Sequence, residues 1–331
     1  MTPQEQTRLA TARQVDPEAY RLYLQGRYQF SKRTLPAFDK SIQLFQQVLE
    51  KDPDYALAYA GLAESYGILP TYGGALPKVA FPKAKAAALR ALEIDRSLAE
   101  AHAALGFVLL YYDWDWSAAE SEFKRAIELK PSYAVGHQWY AEYLAAMGRH
   151  EEAIAEIRRA QELDPVSPLM DAMGGWLFYR ARRYDQAIEQ CHKAIELDPD
   201  FALAHDALSY VYVEKGIYEE AVTEGQKAAR LYGKGPGLEL AFIYAVAGRR
   251  SEALKILGRI GEQTNRGEIR PWRMAPIYIG LGEKQRALDW LEKGYEERDP
   301  DMVFMKVDPP LDPLSSDPRF QDLLRRMNFP P

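Results

Sequence analysis

Pro131, Pro165 and Pro199 stand 34 residues apart, and each closes a variant of one phrase. The three versions read Ala126-Ile127-Glu128-Leu129-Lys130-Pro131, Ala160-Gln161-Glu162-Leu163-Asp164-Pro165 and Ala194-Ile195-Glu196-Leu197-Asp198-Pro199. A fixed period of this length leaves few folds open. One such unit is too small to bury its own apolar face, so it stacks on copies of itself and shares a continuous core with them. The period therefore predicts an array of stacked helical units. It overrides the two globular domains that 331 residues would otherwise suggest.

The unit beginning at Ala202 shows the internal grammar. His205, Leu208, Ser209 and Tyr212 recur at helical spacing; Gly216 breaks that helix, and Tyr218 opens a second one carrying Ala221, Ala228 and Leu231. Pro and Asp after a second helix stop it, because Pro supplies no amide to continue. The same grid predicts about eight units: 19–55, 56–98, 99–133, 134–167, 168–201, 202–233, 234–267 and 268–301. A linker or helix, 1–18, precedes them, and an extension with a capping helix, 302–331, follows. The unit 99–133 carries one extra residue in its turn, Asp113-Trp114-Asp115-Trp116. In the unit 56–98 a loop from Ile68 to Gly74 delays the second helix, expected from Lys83 to Ile94. Asp317-Pro318 is expected to cap a short amphipathic helix from Arg319 to Met327.

This pattern of a large residue, Leu-Gly and Tyr, then Ala, a large residue and Ala, resembles the tetratricopeptide repeat. The resemblance implies an all-α, right-handed α-solenoid of about eight helix-turn-helix repeats with a C-terminal capping helix. Four stretches resemble a narrower group: Thr2-Pro3-Gln4-Glu5-Gln6-Thr7-Arg8-Leu9, Asp16-Pro17-Glu18-Ala19-Tyr20, the run from Asp52 to Ala63, and the run from Ser316 to Met327. They are similar to the C-terminal repeat regions of bacterial multidomain signalling proteins. There such arrays follow winged-helix DNA-binding, adenylate-cyclase-like or Ser/Thr-kinase domains. The resemblance implies a sensory or regulatory module, either excised or free-standing, since none of those output domains is in this sequence.

Composition narrows the function classes. A net charge of -6 argues against direct nucleic-acid binding, which needs clustered Lys and Arg to displace counterions. Cys191 is the sole cysteine, so no intramolecular disulfide forms; its place in the repeat makes it a core residue. No apolar signal core or membrane-length run occurs, and a cytoplasmic location is expected.

Catalytic and cofactor signatures are missing, and no enzyme, cofactor or metal is expected. Gly233-Lys234-Gly235-Pro236-Gly237 has no preceding strand and reads as a linker. Asp113 to Ser117 begins like a calcium loop, but Ala118 and Lys124 stand where Gly and Glu are required. His102, His137 and His205 share one repeat slot. Stacked units lie roughly 8–10 Å apart, too far for ligands of one metal, so structural histidines are expected.

The resemblance places the concave groove on a face of each first helix distinct from the packing stripe. One groove position reads Glu64, Phe107, Glu142, Trp176, Tyr210, Phe242 and Pro276; nearby are Tyr111, Trp139, Tyr179, Arg180, Asp206, Glu214, Trp272 and Arg273. The Lys and Asn clamp that some family members use for a C-terminal carboxylate is absent: Ala60, Glu64, Ala103, Phe107, Gln138, Glu142, Ala172 and Trp176 fill those positions. An aromatic row with acidic flanks suits a protein or peptide segment with apolar anchors and some basic residues. The chain's own Met302-Val303-Phe304-Met305 is another candidate occupant. Changing Trp176 and Tyr210 to Ala is expected to abolish ligand capture while leaving helical content and melting unchanged. The alternatives are a small-molecule or hydrolytic site in which Asp206, Glu142, His137 and Arg180 converge, and a homodimer formed through the aromatic face.

Overall fold

The structure, a computed structural model, describes residues 16–232, 237–263 and 270–330. Among the described residues are seventeen α-helices and no strand. Sixteen of them form eight successive hairpins. In chain order these are α1 (Pro17–Ser31) with α2 (Leu35–Lys51), α3 (Ala56–Ile68) with α4 (Pro77–Ile94), and α5 (Ala99–Val108) with α6 (Trp116–Leu129). Then come α7 (Ala134–Ala146) with α8 (His150–Leu163), α9 (Pro168–Arg180) with α10 (Tyr184–Leu197), and α11 (Ala202–Glu214) with α12 (Tyr218–Leu231). The last two are α13 (Leu238–Val246) with α14 (Arg250–Gln263) and α15 (Pro271–Gly280) with α16 (Lys284–Glu297). Two 3₁₀ turns, Pro300–Phe304 and Pro309–Leu314, lead to α17 (Pro318–Arg326). Each hairpin packs on its neighbours, so the chain is an all-α solenoid. No described helix is long and apolar enough to cross a membrane.

Small residues set the helix spacing. A Cβ added to Gly26 of α1 or Gly61 of α3 would lie 2.6 or 2.5 Å from the Phe45 ring of α2, so three helices close on that ring only because both glycines lack one. Gly175 admits Cys191 in the same manner, its added Cβ 2.5 Å from the sulfur; Cys191 is fully buried, and burial pushes its thiol up.

Two local departures from the repeat have simple causes. The extra residue before Asp113 is absorbed as a π turn, Leu109–Asp113, after which Trp114 turns left-handed and the Asp115 side chain caps α6 through the Ala118 amide. The second helix of the unit 56–98 starts at Pro77, not at the expected Lys83, and carries Pro82 inside it. Pro77 at the first helical position needs no amide donor, which lets the helix begin earlier than its internal proline suggests.

His102, His137 and His205 bridge within their units. Each directs Nδ1 at a second-helix glutamate (Glu122, Glu156, Glu224) at 2.5–2.6 Å and Nε2 at a backbone carbonyl (Arg96, Pro131, Pro199) at 3.0 Å. At His102 and His137 the two acceptors facing the ring favour the doubly protonated imidazolium. The Glu122 bond raises His102; at His137 burial pulls down, and the Glu156 bond overrides it.

The array curls until its end meets its middle. Arg270 donates to the Thr71 carbonyl at 2.9 Å, Arg298 to the Tyr112 carbonyl at 3.2 Å, and the Trp116 indole N–H to the Met327 carbonyl at 2.9 Å. Residues 300–314 cross the inner wall like a strap. Met302, Val303, Phe304, Met305, Leu311 and Leu314 in this strap are buried. The α17 helix follows with Phe320, Leu323 and Met327 buried, covering the last hairpin.

Candidate functional site

The first helices supply the inner wall, and the strap divides it. On the covered part, Phe107 stacks on Tyr111 (ring centroids 4.3 Å) and tilts against Trp139 (4.8 Å). Tyr111 meets Phe304 of the strap edge-on at 6.2 Å. The Tyr111 hydroxyl and the Gln138 amide both donate to Glu142, whose carboxyl burial pushes up. Arg180 lies over the Phe304 ring, 3.5 Å from its centroid, and forms a 3.6 Å ion pair with Asp308. Burial pushes Asp308 up to about 6, against the opposing pull of Arg180. The neighbouring Arg182 bonds Asp312 at 2.7 Å. Tyr179 is fully buried beneath this layer.

Further along, Tyr210 stacks on Phe242 at 5.0 Å and Trp176 tilts on Tyr210 at 5.2 Å. Tyr210 and Phe242 are buried, while Trp176 stays half-buried. Glu214 accepts a 3.4 Å bond from Tyr184, and burial, reinforced by Asp308, pushes its carboxyl up. Pro276 is buried within α15.

The uncovered part joins the first two hairpins to the last three. Glu64, wholly buried, accepts from Arg27 and, at 2.6 Å, from the Tyr133 hydroxyl. Arg273 bonds Glu239 and sits 3.7 Å from Asp206; these charges hold its guanidinium up despite burial. The Trp272 amide and the Arg270 guanidinium both donate to Asp299. Arg33, Tyr72 and Tyr232 are half-buried at this end.

Several expectations change on these facts. The acidic flanks that suggested a basic partner already have donors: Glu64 has Arg27, Glu142 has Tyr111, and Asp206 has Arg273. Tyr210 is a core ring, so replacing it with Ala opens a cavity instead of leaving melting unchanged. The proposed convergence of Asp206, Glu142, His137 and Arg180 meets a geometric obstacle, because His137 is turned to Glu156 on the second helix. Gly233 to Pro236, read as a linker, lie outside the described residues. Sequence reasoning missed Arg27, Tyr133, Arg33 and Arg270. The signal for Arg33 was present: it stands in a hairpin turn where most units place Gly.

Comparison with known proteins follows the same architecture. The tetratricopeptide-repeat family model matches residues 107–168 and 173–236. Transcriptional regulator HilA of Salmonella typhimurium and of Salmonella typhi is 27% identical over 158 residues, 48% of this chain. The chain spans only 28% of the length of those relatives. Among solved structures, a chain of the APC/C hetero-tetramer Cut9-Hcn1 superposes with a TM-score of 0.62 and 18% identity, over 98% of this chain and 58% of that one. A monomeric mutant of IFIT1 solved with Gppp-AAAA gives 0.60 and 18%, over 88% of this chain and 67% of that one.

Proposed function

We propose that this chain, a tetratricopeptide-repeat protein, is a non-enzymatic interaction scaffold that holds a peptide or partner segment against its inner wall. The observation that carries the reading is the strap. A short segment with apolar anchors, Met302, Val303 and Phe304, and with carboxylates, Asp308 and Asp312, already lies on this wall against Tyr111, Arg180 and Arg182. The wall is therefore suited to segments of that kind, and its uncovered part offers half-buried Arg33, Tyr72 and Tyr232 for a second one. The match to a transcriptional regulator supports a regulatory role within a bacterial signalling or transcription-regulatory protein; a cytoplasmic location belongs to the same proposal.

The test maps contacts without altering the wall. Peptides are selected on the full chain from a displayed library, fitted with benzophenone and photo-crosslinked. Crosslinks on α1, α9, α11, α13 or α15 are expected. Crosslinks confined to the outer second helices, or no selected peptide, would remove the inner wall from consideration.

A further inference from the structure

Each of the eight hairpin turns contains one residue with left-handed backbone. Five are glycine: Gly73, Gly148, Gly216, Gly248 and Gly282. Three are not: Arg33 (φ 54°), Trp114 (φ 59°) and Arg182 (φ 59°). A side chain in this region costs roughly 1 kcal/mol relative to glycine, so a unit that keeps one has an offsetting use for it.

For two of the three, that use is visible. Arg298 lies over the Trp114 ring, 4.0 Å from its centroid, and Asp312 bonds Arg182 at 2.7 Å. Both contacts come from the returning C-terminal part of the chain. Arg33 occupies the same place in the first hairpin. Among the described residues its guanidinium has the Phe30 ring, 4.4 Å away, and neither a hydrogen bond nor a carboxylate ion pair; only its backbone amide is bonded, to the Phe30 carbonyl at 3.4 Å. It is half-buried, and burial pushes its guanidinium down.

Glu64 and Glu142 lie within range of the Arg33 charge. Neither serves as its counter-ion, since Arg27 and Tyr133 hold the first, and Tyr111 and Gln138 the second. Three other inward arginines meet carboxylates, Arg180 with Asp308, Arg270 with Asp299 and Asp301, Arg273 with Glu239, and Arg298 meets the Tyr112 carbonyl. An unmatched guanidinium is expensive to hold half out of water, and its planar fork fits a carboxylate with two parallel hydrogen bonds.

We infer that Arg33 is a binding residue for an acidic partner segment, its guanidinium receiving an Asp or Glu carboxylate as Arg182 receives Asp312. This rests on the scaffold reading above and narrows it to an acidic partner at the first-hairpin end of the wall. The strap shows the companion chemistry, carboxylates interspersed with Met, Val and Phe.

The experiment uses the full chain with ¹⁵N-labelled arginine, the Arg33 Nε–H signal being the one that Arg33→Gly removes. Three probes are titrated: the acetylated, amidated pentapeptide Glu-Phe-Glu-Met-Glu, its Gln-Phe-Gln-Met-Gln counterpart, and inorganic phosphate. The acidic peptide is expected to shift the Arg33 signal to saturation, and the Gln peptide to leave it in place. Calorimetry is expected to show acidic-peptide affinity about tenfold weaker in Arg33→Gly. Melting should be unchanged or slightly higher, since glycine relieves the backbone. An equal response to the Gln peptide, a response to phosphate alone, no response to the acidic peptide, or unchanged affinity in Arg33→Gly would overturn the inference. If those outcomes coincide with crosslinks that still map inside, the scaffold reading stands and only the acidic specificity falls.

Discussion

The two parts of the inner wall are built from the same repeat positions yet differ in how their charges are matched. Under the strap, Arg180 and Arg182 receive carboxylates from a segment more than a hundred residues away, and Phe304 is packed between Arg180 and Tyr111. Beyond the strap, Arg27 and Arg273 are matched by neighbouring first helices, and Arg33 by none of the described residues. One surface of an array can thus be a sealed core along part of its length and uncovered along the rest. What separates them is the presence of a segment to cover the aromatic row.

The largest test of this contrast is Phe304→Ala. Truncating a ring buried between Arg180 and Tyr111 should lower unfolding free energy by about 3–5 kcal/mol in urea denaturation. A loss below about 1 kcal/mol would mean that the strap rests on the wall without packing into it.

Next comes the pH response of the strap. Asp308 is raised from 3.8 to about 6 in the folded chain, so its contribution is fully present below its unfolded value and is lost as pH rises through about 6. Between pH 4 and 7 this withdraws on the order of 3 kcal/mol. His102 and His137 act in the same direction at higher pH, because their raised folded values make their contribution full below 6.5 and lost as pH climbs through the folded value. Comparing stability curves of the wild type and Asp308→Asn isolates the strap: the variant should lose the fall centred below pH 6 and keep the later one. Identical curves would show that folding leaves the titration of Asp308 unshifted.

The spacing of the first two hairpins gives a third measurement. Gly61→Ala places a methyl 2.5 Å from the Phe45 ring, and overpacking of this kind should cost about 1–3 kcal/mol by thermal melting. The smallest expected effect has the opposite sign. Arg33→Gly should leave stability unchanged or raise it by up to about 1 kcal/mol, since it removes left-handed strain and no charge pair among the described residues. A clear loss of stability would show that Arg33 already holds the first hairpin together, and the contrast between covered and open wall would weaken.

Much of this molecule is legible along the chain. The 34-residue period predicts stacked helical hairpins because a side chain's burial in such an array depends mainly on its place in the unit and its neighbours. His102, His137 and His205 show the rule at single-residue level: one slot, one pair of acceptors, three times over. The candidate site is less legible, for the same reason. Repeat position reports contacts between adjacent units, whereas Arg270 with Thr71 or Trp116 with Met327 join residues many units apart.

Residue pattern alone was enough for the helical hairpins and the aromatic row on the first helices, since each depends on contacts within a few dozen residues. How far the superhelix curls, and hence that residues 300–314 lie across the row and bury part of it, emerged only from the folded chain. Curvature is the sum of small rotations between units, and no local pattern of residue types encodes where that sum brings two distant surfaces together.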